Sequence, residues 1–311
     1  MRKQRFAVCA LESSPFRRQS KSMDAMVEQP LEKTNQPHGR ASTALEHIAQ
    51  ALAGQTQWVV ITGAGVSTGS GISDYRDQAG EWKRPQPVQH QAFMQHLTWR
   101  QRYWARSQLG YPEFMRAQPN AAHRALAVLE QRGLVRGVIT QNVDGLHQRA
   151  GQQRVLDLHG RLDQVRCMAC AQRMTRDTVQ SWLEQHNSWI SQAQFTAAPD
   201  GDADIELDFS RVAVPQCPDC AGLLKPDVVF FGDTVPKADV ERGYRWIEQA
   251  PAVLVVGSSL MVYSSFRFVR LAHELGIPIF AINQGKTRGD ELFEYKAEVD
   301  CAHGLARLLE D

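Results

Sequence analysis

Six short apolar runs set the pattern of the chain: Trp58-Val59-Val60-Ile61-Thr62, Gly137-Val138-Ile139-Thr140, Val155-Leu156-Asp157-Leu158-His159, Val228-Val229-Phe230-Phe231, Ala252 to Val256, and Ile277-Pro278-Ile279-Phe280-Ala281-Ile282. Each reads as a strand. Helical periodicity fills the intervals. A capping box at Thr43-x-x-Glu46 opens a helix carrying Leu45, Ile48, Ala49 and Leu52, stopped by Gly54. Asn120 caps a second helix with Leu126 and Leu129, ended by Gly133, and Phe266, Val269, Ala272 and Leu275 line one face of another. Continuously apolar strands alternating with helices predict a parallel sheet covered on both faces, hence a doubly wound, Rossmann-like α/β fold.

Two stretches break the alternation. Residues 80 to 120 hold Pro85, Pro87, Pro112 and Pro119 among aromatics, which predicts a small insertion of short helices. From Cys167 to Cys220 the chain turns polar, with Ala198-Pro199-Asp200-Gly201-Asp202 at its centre, so a separate smaller lobe is expected there. Residues 1 to 40 lack periodicity and read as a disordered tail. The first 22 carry Arg2, Lys3, Arg5, Arg17, Arg18 and Lys21 against Glu12 alone, a pattern that an organelle transit peptide shares, but a tail, or a true start at Met23 or Met26, is the favoured reading.

Composition narrows the partners. With 35 Lys+Arg against 34 Asp+Glu the net charge is +1, so no global basic field recruits nucleic acid or an anionic membrane. No apolar run approaches membrane-spanning length. A chain of 311 residues with 43% hydrophobic content is globular and large enough for one main and one smaller domain. Four of six cysteines form two C-x-x-C pairs, which suits a metal in a reducing compartment, by default the cytoplasm.

Those pairs, Cys167-x-x-Cys170 and Cys217-x-x-Cys220, supply the four thiolates of one closed, structural zinc site, with an inserted loop between the knuckles. A redox pair or buried thiols would be the plain alternatives. Cys9 and Cys301 lack such partners. Gly63-Ala64-Gly65-Val66-Ser67, entered from an apolar strand, leaves backbone N–H groups open to a pyrophosphate. The third glycine of a dinucleotide fingerprint would fall at Thr68, so this stretch alone reads equally as a ligand-free turn. Gln141-Asn142-Val143-Asp144-Gly145, His159-Gly160, Gly257-Ser258-Ser259 and Asn283 each follow a predicted strand. Together they place five strand ends around one crevice, with His159 as candidate general base.

These residues, together with Gly71-Ile72-Ser73-Asp74-Tyr75-Arg76, Thr140 to Asp144, Lys225-Pro226-Asp227-Val228-Val229-Phe230-Phe231-Gly232-Asp233 and Gly257-Ser258-Ser259-Leu260, resemble the sirtuins, in the family's order from about Ala41 to the C-terminus. Arg102-Tyr103-Trp104-Ala105-Arg106 and Phe231-Gly232-Asp233 look like the class II branch, which includes a mitochondrial member with lipoamidase and deacylase activity. Ser73, Tyr75 and Ser258 depart mildly from the usual proline, phenylalanine and threonine. The resemblance implies a domain split of 41–160 and 225–311 for the NAD-binding fold and 161–224 for the zinc lobe. It implies an NAD-dependent protein-lysine deacylase acting on acylated-lysine proteins or peptides, with protein mono-ADP-ribosylation and lipoamidase activity as alternatives.

In that likeness the acyl oxygen attacks the nicotinamide ribose, nicotinamide leaves, and 2′-O-acyl-ADP-ribose and free lysine result. Asp74 and the Ile72 backbone would hold the carboxamide, Asn142 and Asp144 would order ribose and water, and His159, with a pKa near neutrality, would take the ribose proton. Gly63, Ala64, Gly65, Ser67, Tyr75, Arg76, Gln141, Gly257, Ser258, Ser259, Asn283, Gln284, Gly285 and Cys301 complete the implied NAD contacts. The backbone of Val229, Phe230, Phe231 and Gly232 would bind the peptide, and zinc would brace the small lobe. Tyr103 and Arg106, three apart on one helix face, would grip an acidic acyl tail; ordinary packing is the alternative.

Overall fold

The computed structural model describes residues 37–74, 83 and 88–310. Six strands form one parallel sheet: β1 (Trp58–Thr62), β2 (Val135–Thr140), β3 (Val155–Asp157), and, after a long excursion, Val253–Val256, Ile279–Ile282 and Tyr295–Ala297, which are β9, β10 and β11 in chain order. Their order across the sheet is β11-β10-β9-β1-β2-β3. Alternate side chains of each strand point to opposite faces. Val60, Val138, Leu254 and Ile282 therefore join one buried layer with Leu45, Ile48 and Leu52 of α1 (Pro37–Leu52) and Leu126 and Leu129 of α4 (Ala121–Gln131). Leu305 of α9 (Cys301–Arg307) completes that layer. Val59, Ile61, Ile139 and Val255 join the other, against Val240 and Ile247 of α7 (Lys237–Glu248) and Phe268 and Val269 of α8 (Tyr263–Glu274). Burial on both faces is why these runs lack polar alternation.

The chain runs from β1 outward to β3, then returns to β9 on the other side of β1. The loops after β1 and β9 thus diverge at a topological switch point, where open α/β sheets leave a crevice at the strands' carboxyl ends.

A second sheet of three antiparallel strands comprises β4 (Gly160–Cys167), β5 (Arg173–Thr175) and β8 (Leu224–Val228), backed by α6 (Arg176–His186). The hairpin of β6 (Thr196–Ala198) and β7 (Asp202–Asp204) lies between the cysteine pairs. The helical insertion consists of α2 (His90–Gln95) and α3 (Leu97–Arg116), while α5 (Leu146–Arg149) is a single turn. No described helix is long and apolar enough to cross a membrane.

Four expectations are corrected. The run at Val228 is not a core strand: β8 ends at Val228 and pairs with β4, so the small sheet extends over 160–167 and 224–228 rather than stopping at 161 and 224. The helical insertion belongs with that lobe, because Phe93 and Trp104 share a buried cluster with Val165, Leu183 and Leu224. Helix α1 begins at Pro37, so Thr43 lies inside the helix instead of capping it, and the proposed tail of residues 1–40 overlaps its first turn. Leu275, read with Phe266, Val269 and Ala272 on one helix face, is instead the C-cap of α8 and half exposed. Residues 1–36 lie outside the described residues.

Helix α3 also runs longer than its prolines imply. Pro112 has no N–H for the Gln108 carbonyl four residues back, and the Gln180 amide supplies the missing donor at 2.9 Å.

Candidate active site

The sequence Gly63-x-Gly65 is explained first by backbone packing. The Gly65 N–H donates to the Gly257 carbonyl at 2.9 Å, and a Cβ on Gly65 would lie 2.9 Å from the Gly257 Cα. Gly257 has φ +58, and a Cβ there would meet the Val66 nitrogen at 2.5 Å. Glycines at both positions let the β1 and β9 loops touch at the switch point. Two 3₁₀ turns, Ala64–Val66 and Thr68–Ser70, follow β1 where a longer helix would have been the simplest expectation.

Around this junction the polar side chains interlock. Gln141 at the end of β2 donates to Ser258 Oγ at 2.6 Å, joining β2 to the β9 loop across β1. Asn142 Nδ2 donates to the Gly63 carbonyl (3.1 Å) and to Ser67 Oγ (2.9 Å), and Ser67 Oγ donates to Asp144 Oδ2 (2.7 Å). Leu146 N–H holds the other Asp144 oxygen at 2.8 Å. Burial raises the Asp144 pKa, and the bonds from Leu146 and Ser67 hold that rise in check. Asn142, Asp144 and Ser67 therefore form one preorganised unit. Ser67, 1% exposed, serves it from behind.

His159 lies two residues past β3. Its Nδ1 is 3.1 Å from the Gln141 carbonyl, which only accepts, so Nδ1 carries the proton and Nε2 offers its lone pair. Ser264 Oγ donates to that Nε2 at 2.7 Å. Sequence reasoning missed Ser264 because it lies in the first turn of a helix, with nothing in its neighbourhood marking a partner 105 residues away. Burial pushes the His159 pKa down to about 4, below the near-neutral value expected, while the Gln141 carbonyl opposes the shift. The ring is neutral at pH 7 and ready to accept a proton.

Two further histidines lie beneath. His147 Nε2 is 3.0 Å from Thr62 Oγ1, its ring 4.9 Å from that of His123, and His123 Nδ1 accepts from the Asn120 N–H at 3.3 Å. Burial lowers their pKa values to about 3 and about 4. Because the unfolded imidazoles titrate near 6.5, acidification protonates the unfolded chain first. Stability from these three histidines is complete above pH 6.5 and is lost as pH falls towards 4, by about 2 kcal/mol each at pH 5. Asp144 and Asp157, whose pKa values burial raises, act in the opposite sense and return part of this. Thermal melts should show a clearly lower midpoint at pH 5 than at pH 7; equal midpoints would contradict the buried, neutral assignment.

The remaining sequence-predicted contacts divide. Ser259 is at the crevice, and its carbonyl accepts from Arg288 N–H. Ala64 lies in the first 3₁₀ turn. Asp74 pairs with Lys83. The Ile72 N–H donates to the Ser67 carbonyl at 3.3 Å, and its side chain packs with Tyr111 and Val143. Asn283 at the end of β10 spends its amide on the carbonyls of Gln284 (2.8 Å) and Gly285, shaping its own turn. Cys301 is buried with Sγ 3.8 Å from the Gly65 carbonyl, supporting the loop from below, and burial raises its pKa to about 12. Tyr75 and Arg76 lie outside the described residues.

The peptide-binding expectation falls on a loop. Val229 N–H donates to the His159 carbonyl at 2.8 Å, Phe231 bridges Gln89, its carbonyl accepts from His90 N–H, and Gly232 turns with φ +79. Asp233 anchors the segment, its Oδ2 standing 3.0 Å from His90 Nδ1 and 3.2 Å from the buried Lys225 Nζ. Tyr103 packs edge-on to Phe93 and against Phe230. Arg106 contradicts its expected role. Its Nε and Nη2 grip Asp202 at 2.7 and 2.8 Å and Nη2 reaches Asp204 at 2.9 Å, so the fork is already filled by carboxylates of the chain.

The four cysteine sulfurs lie within 4.8 Å of one another, with Cys167 to Cys220 at 3.6 Å and Cys170 to Cys217 at 3.7 Å. Four Zn–S bonds of about 2.3 Å in a tetrahedron put sulfurs about 3.8 Å apart, so the set fits zinc, and the distances far exceed a disulfide. N–H groups of Cys170 and Ala169 point at the Cys167 sulfur and lower its pKa to about 6, favouring the thiolate.

Residues 63–264 match the Sir2 family. An NAD-dependent protein deacetylase of Xanthomonas axonopodis pv. citri is 59% identical over 250 residues, covering 80% of this chain and 85% of that protein. One from Bordetella bronchiseptica is 56% identical over 259 residues, with coverage of 83% and 94%. Among solved structures, a Sir2 with a p53 peptide and NAD+ matches with a TM-score of 0.67 at 29% identity, over 86% of this chain and 97% of that one. A Sir2 bound to a propionylated peptide gives 0.68 at 29%, with the same coverage. Switch-point crevice, histidine, four-thiolate knuckle and these relatives agree: the chain belongs to the Sir2, or sirtuin, family.

Proposed function

We propose that this protein is an NAD-dependent protein-lysine deacetylase that consumes NAD as co-substrate. The observation that carries this reading is the neutral His159, its Nε2 lone pair held at the carboxyl edge of the sheet beside the fixed Asn142 and Asp144. NAD supplies a glycosidic bond whose cleavage lets the acyl oxygen of a modified lysine be captured on the ribose. The chain's part is positioning and proton transfer. Gly63, Gly65 and Gly257 let the β1 and β9 loops close on each other so that their backbone can face the dinucleotide, and Asn142 and Asp144 orient ribose and water. His159 Nε2 takes the ribose hydroxyl proton once Ser264 yields, and the Val229–Gly232 backbone receives the peptide beside it. A low histidine pKa keeps the base free at neutral pH at some cost in proton affinity.

A finer reading places the chain in the class II branch, with lipoyl among its acyl groups; Arg102 to Arg106 and Phe231-Gly232-Asp233 support it. Four thiolates without disulfides favour a reducing compartment, and we assign the cytoplasm. Mass spectrometry of products from NAD and an acetyl-lysine peptide tests the activity. Acetyl-ADP-ribose with free lysine is the expected pair; ADP-ribose attached to protein, with the acetyl retained, would replace this reading by mono-ADP-ribosylation.

A further inference from the structure

The solvent side of α8 carries an unbalanced set of charges. Tyr263, Arg267, Arg270 and Glu274 recur at helical spacing and form one stripe. Tyr263 is 47% exposed, and three guanidiniums gather on its ring: Arg267 at 5.3 Å and Arg288 at 5.7 Å from the centroid, and Arg270 with Nη1 3.4 Å from the hydroxyl oxygen. Arg288, from the loop after β10, also lies 4.6 Å from the centre of the Phe266 ring. Glu274 answers Arg270 at 3.1 Å. Arg267 and Arg288 pair with no carboxylate among the described residues, the Arg267 Nε is buried without a hydrogen-bond partner, and Asp290 in the loop of Arg288 is engaged by Thr287 and Lys296. Three like charges held together repel one another, and the cluster is left with two in excess. Stacking on an aromatic ring fixes a guanidinium while leaving its N–H edge open to an anion.

The stripe starts at the candidate base. Ser264, next to Tyr263, donates to His159 Nε2 at 2.7 Å, while Val229 N–H donates to the His159 carbonyl at 2.8 Å. Met261 to Ser264 and Val229 to Gly232 are therefore two segments that meet at this histidine. Arg288 is strapped to the first of them, its backbone N–H donating to the Ser259 carbonyl at 2.9 Å and its Nη1 to the Met261 carbonyl at 3.3 Å. Arg267 lies three residues past Ser264, about 4.5 Å along the helix axis. A peptide presenting an acyl-lysine to His159 advances about 3.3 Å per residue when extended. Side chains two to four positions from that lysine thus reach the arginines.

We propose that Arg267, Arg270 and Arg288 around Tyr263 form a docking surface for acidic peptide segments, so that the enzyme selects acyl-lysines with Asp or Glu two to four residues away. The proposal rests on the deacylase reading and names its substrate class. A carboxylate arriving there meets stacked guanidiniums with N–H groups to offer and relieves the repulsion among them; a lysine-rich flank adds to that repulsion.

The test compares acetyl-lysine peptides that differ only in their flanks, acidic, alanine or lysine, on wild type and on Arg267→Gln/Arg288→Gln, reading kcat, KM and peptide Kd. The wild type should favour the acidic peptide over the alanine one by about tenfold, in KM and Kd rather than in kcat. Raising NaCl to about 0.5 M should remove most of that difference. The double variant should lose it, with the KM for NAD and the kcat/KM of the alanine peptide unchanged, and Arg288→Glu should shift the preference towards the lysine-flanked peptide. Should the double variant fail to fold, Arg288→Gln alone, at an exposed position, should reduce the preference by less. Equal affinity of the wild type for all three peptides, a preference that survives in the folded variant, or a rise in the KM for NAD in place of that for the peptide would overturn the proposal. If no peptide is turned over, the deacylase reading falls, while the Kd ratio still decides the role of the arginines.

Discussion

Replacing His159 with alanine is expected to lower NAD-dependent deacylation by about 10² to 10⁴, the usual loss when a positioned general base is removed. The geometry gives that loss a specific cause. His159 sits on the short link from β3 into β4, its Nδ1 proton fixed by the Gln141 carbonyl and its Nε2 alone able to accept. Asn142 is an amide and too weakly basic to take the proton, while the Asp144 carboxylate is already engaged by Ser67 and Leu146. The fold should survive, because the ring makes two hydrogen bonds of about 1 kcal/mol each and leaves both apolar layers of the sheet untouched. NAD binding measured by calorimetry should persist in the variant. Wild-type turnover by a folded His159→Ala protein would remove the base assignment.

Loss of the zinc site is expected to have the larger effect on stability. A structural zinc supplies about 10 kcal/mol or more of folding free energy at neutral pH. Here the ion's ligands also belong to a core: Cys167 and Cys217 are buried with Phe93, Trp104, Val165, Val179 and Leu224. Cys217→Ser should therefore abolish stoichiometric zinc and unpack α2, α3 and the three-stranded sheet together, while the parallel sheet keeps both of its layers. Metal analysis with limited proteolysis checks this, with cleavage expected within 160–228. A metal-free Cys217→Ser protein that resists protease like wild type would show that the knuckle does not brace the lobe.

Much of this was legible in the residues because it depends on local rules. Continuous runs such as Val59-Val60-Ile61 and Val253 to Val256 are too short to be anything but strands buried on both faces of a sheet between helices, and two matched C-x-x-C pairs have few chemical alternatives. What escaped was set by distant partners. Val228 to Phe231 is as apolar as a core strand, but its pairing with β4 is a tertiary fact with no local signature. Arg106 has the right spacing from Tyr103 to grip an acyl carboxylate; the carboxylates that occupy it come from a hairpin about a hundred residues on. The same holds for Ser67, whose hydroxyl serves Asn142 and Asp144, and for Asn120, read as a helix cap, which also fixes the loop after β1 by donating to the Val66 carbonyl at 2.7 Å.

A deacetylase of this kind must couple breakage of the nicotinamide bond to acyl transfer from lysine. Nicotinamide release should be measured with NAD alone, with unmodified peptide and with acetyl-lysine peptide, alongside free lysine formed. We expect release to require the acylated peptide and to match lysine one for one. Release at the same rate without an acyl group, or deacetylation that proceeds without NAD, would contradict it.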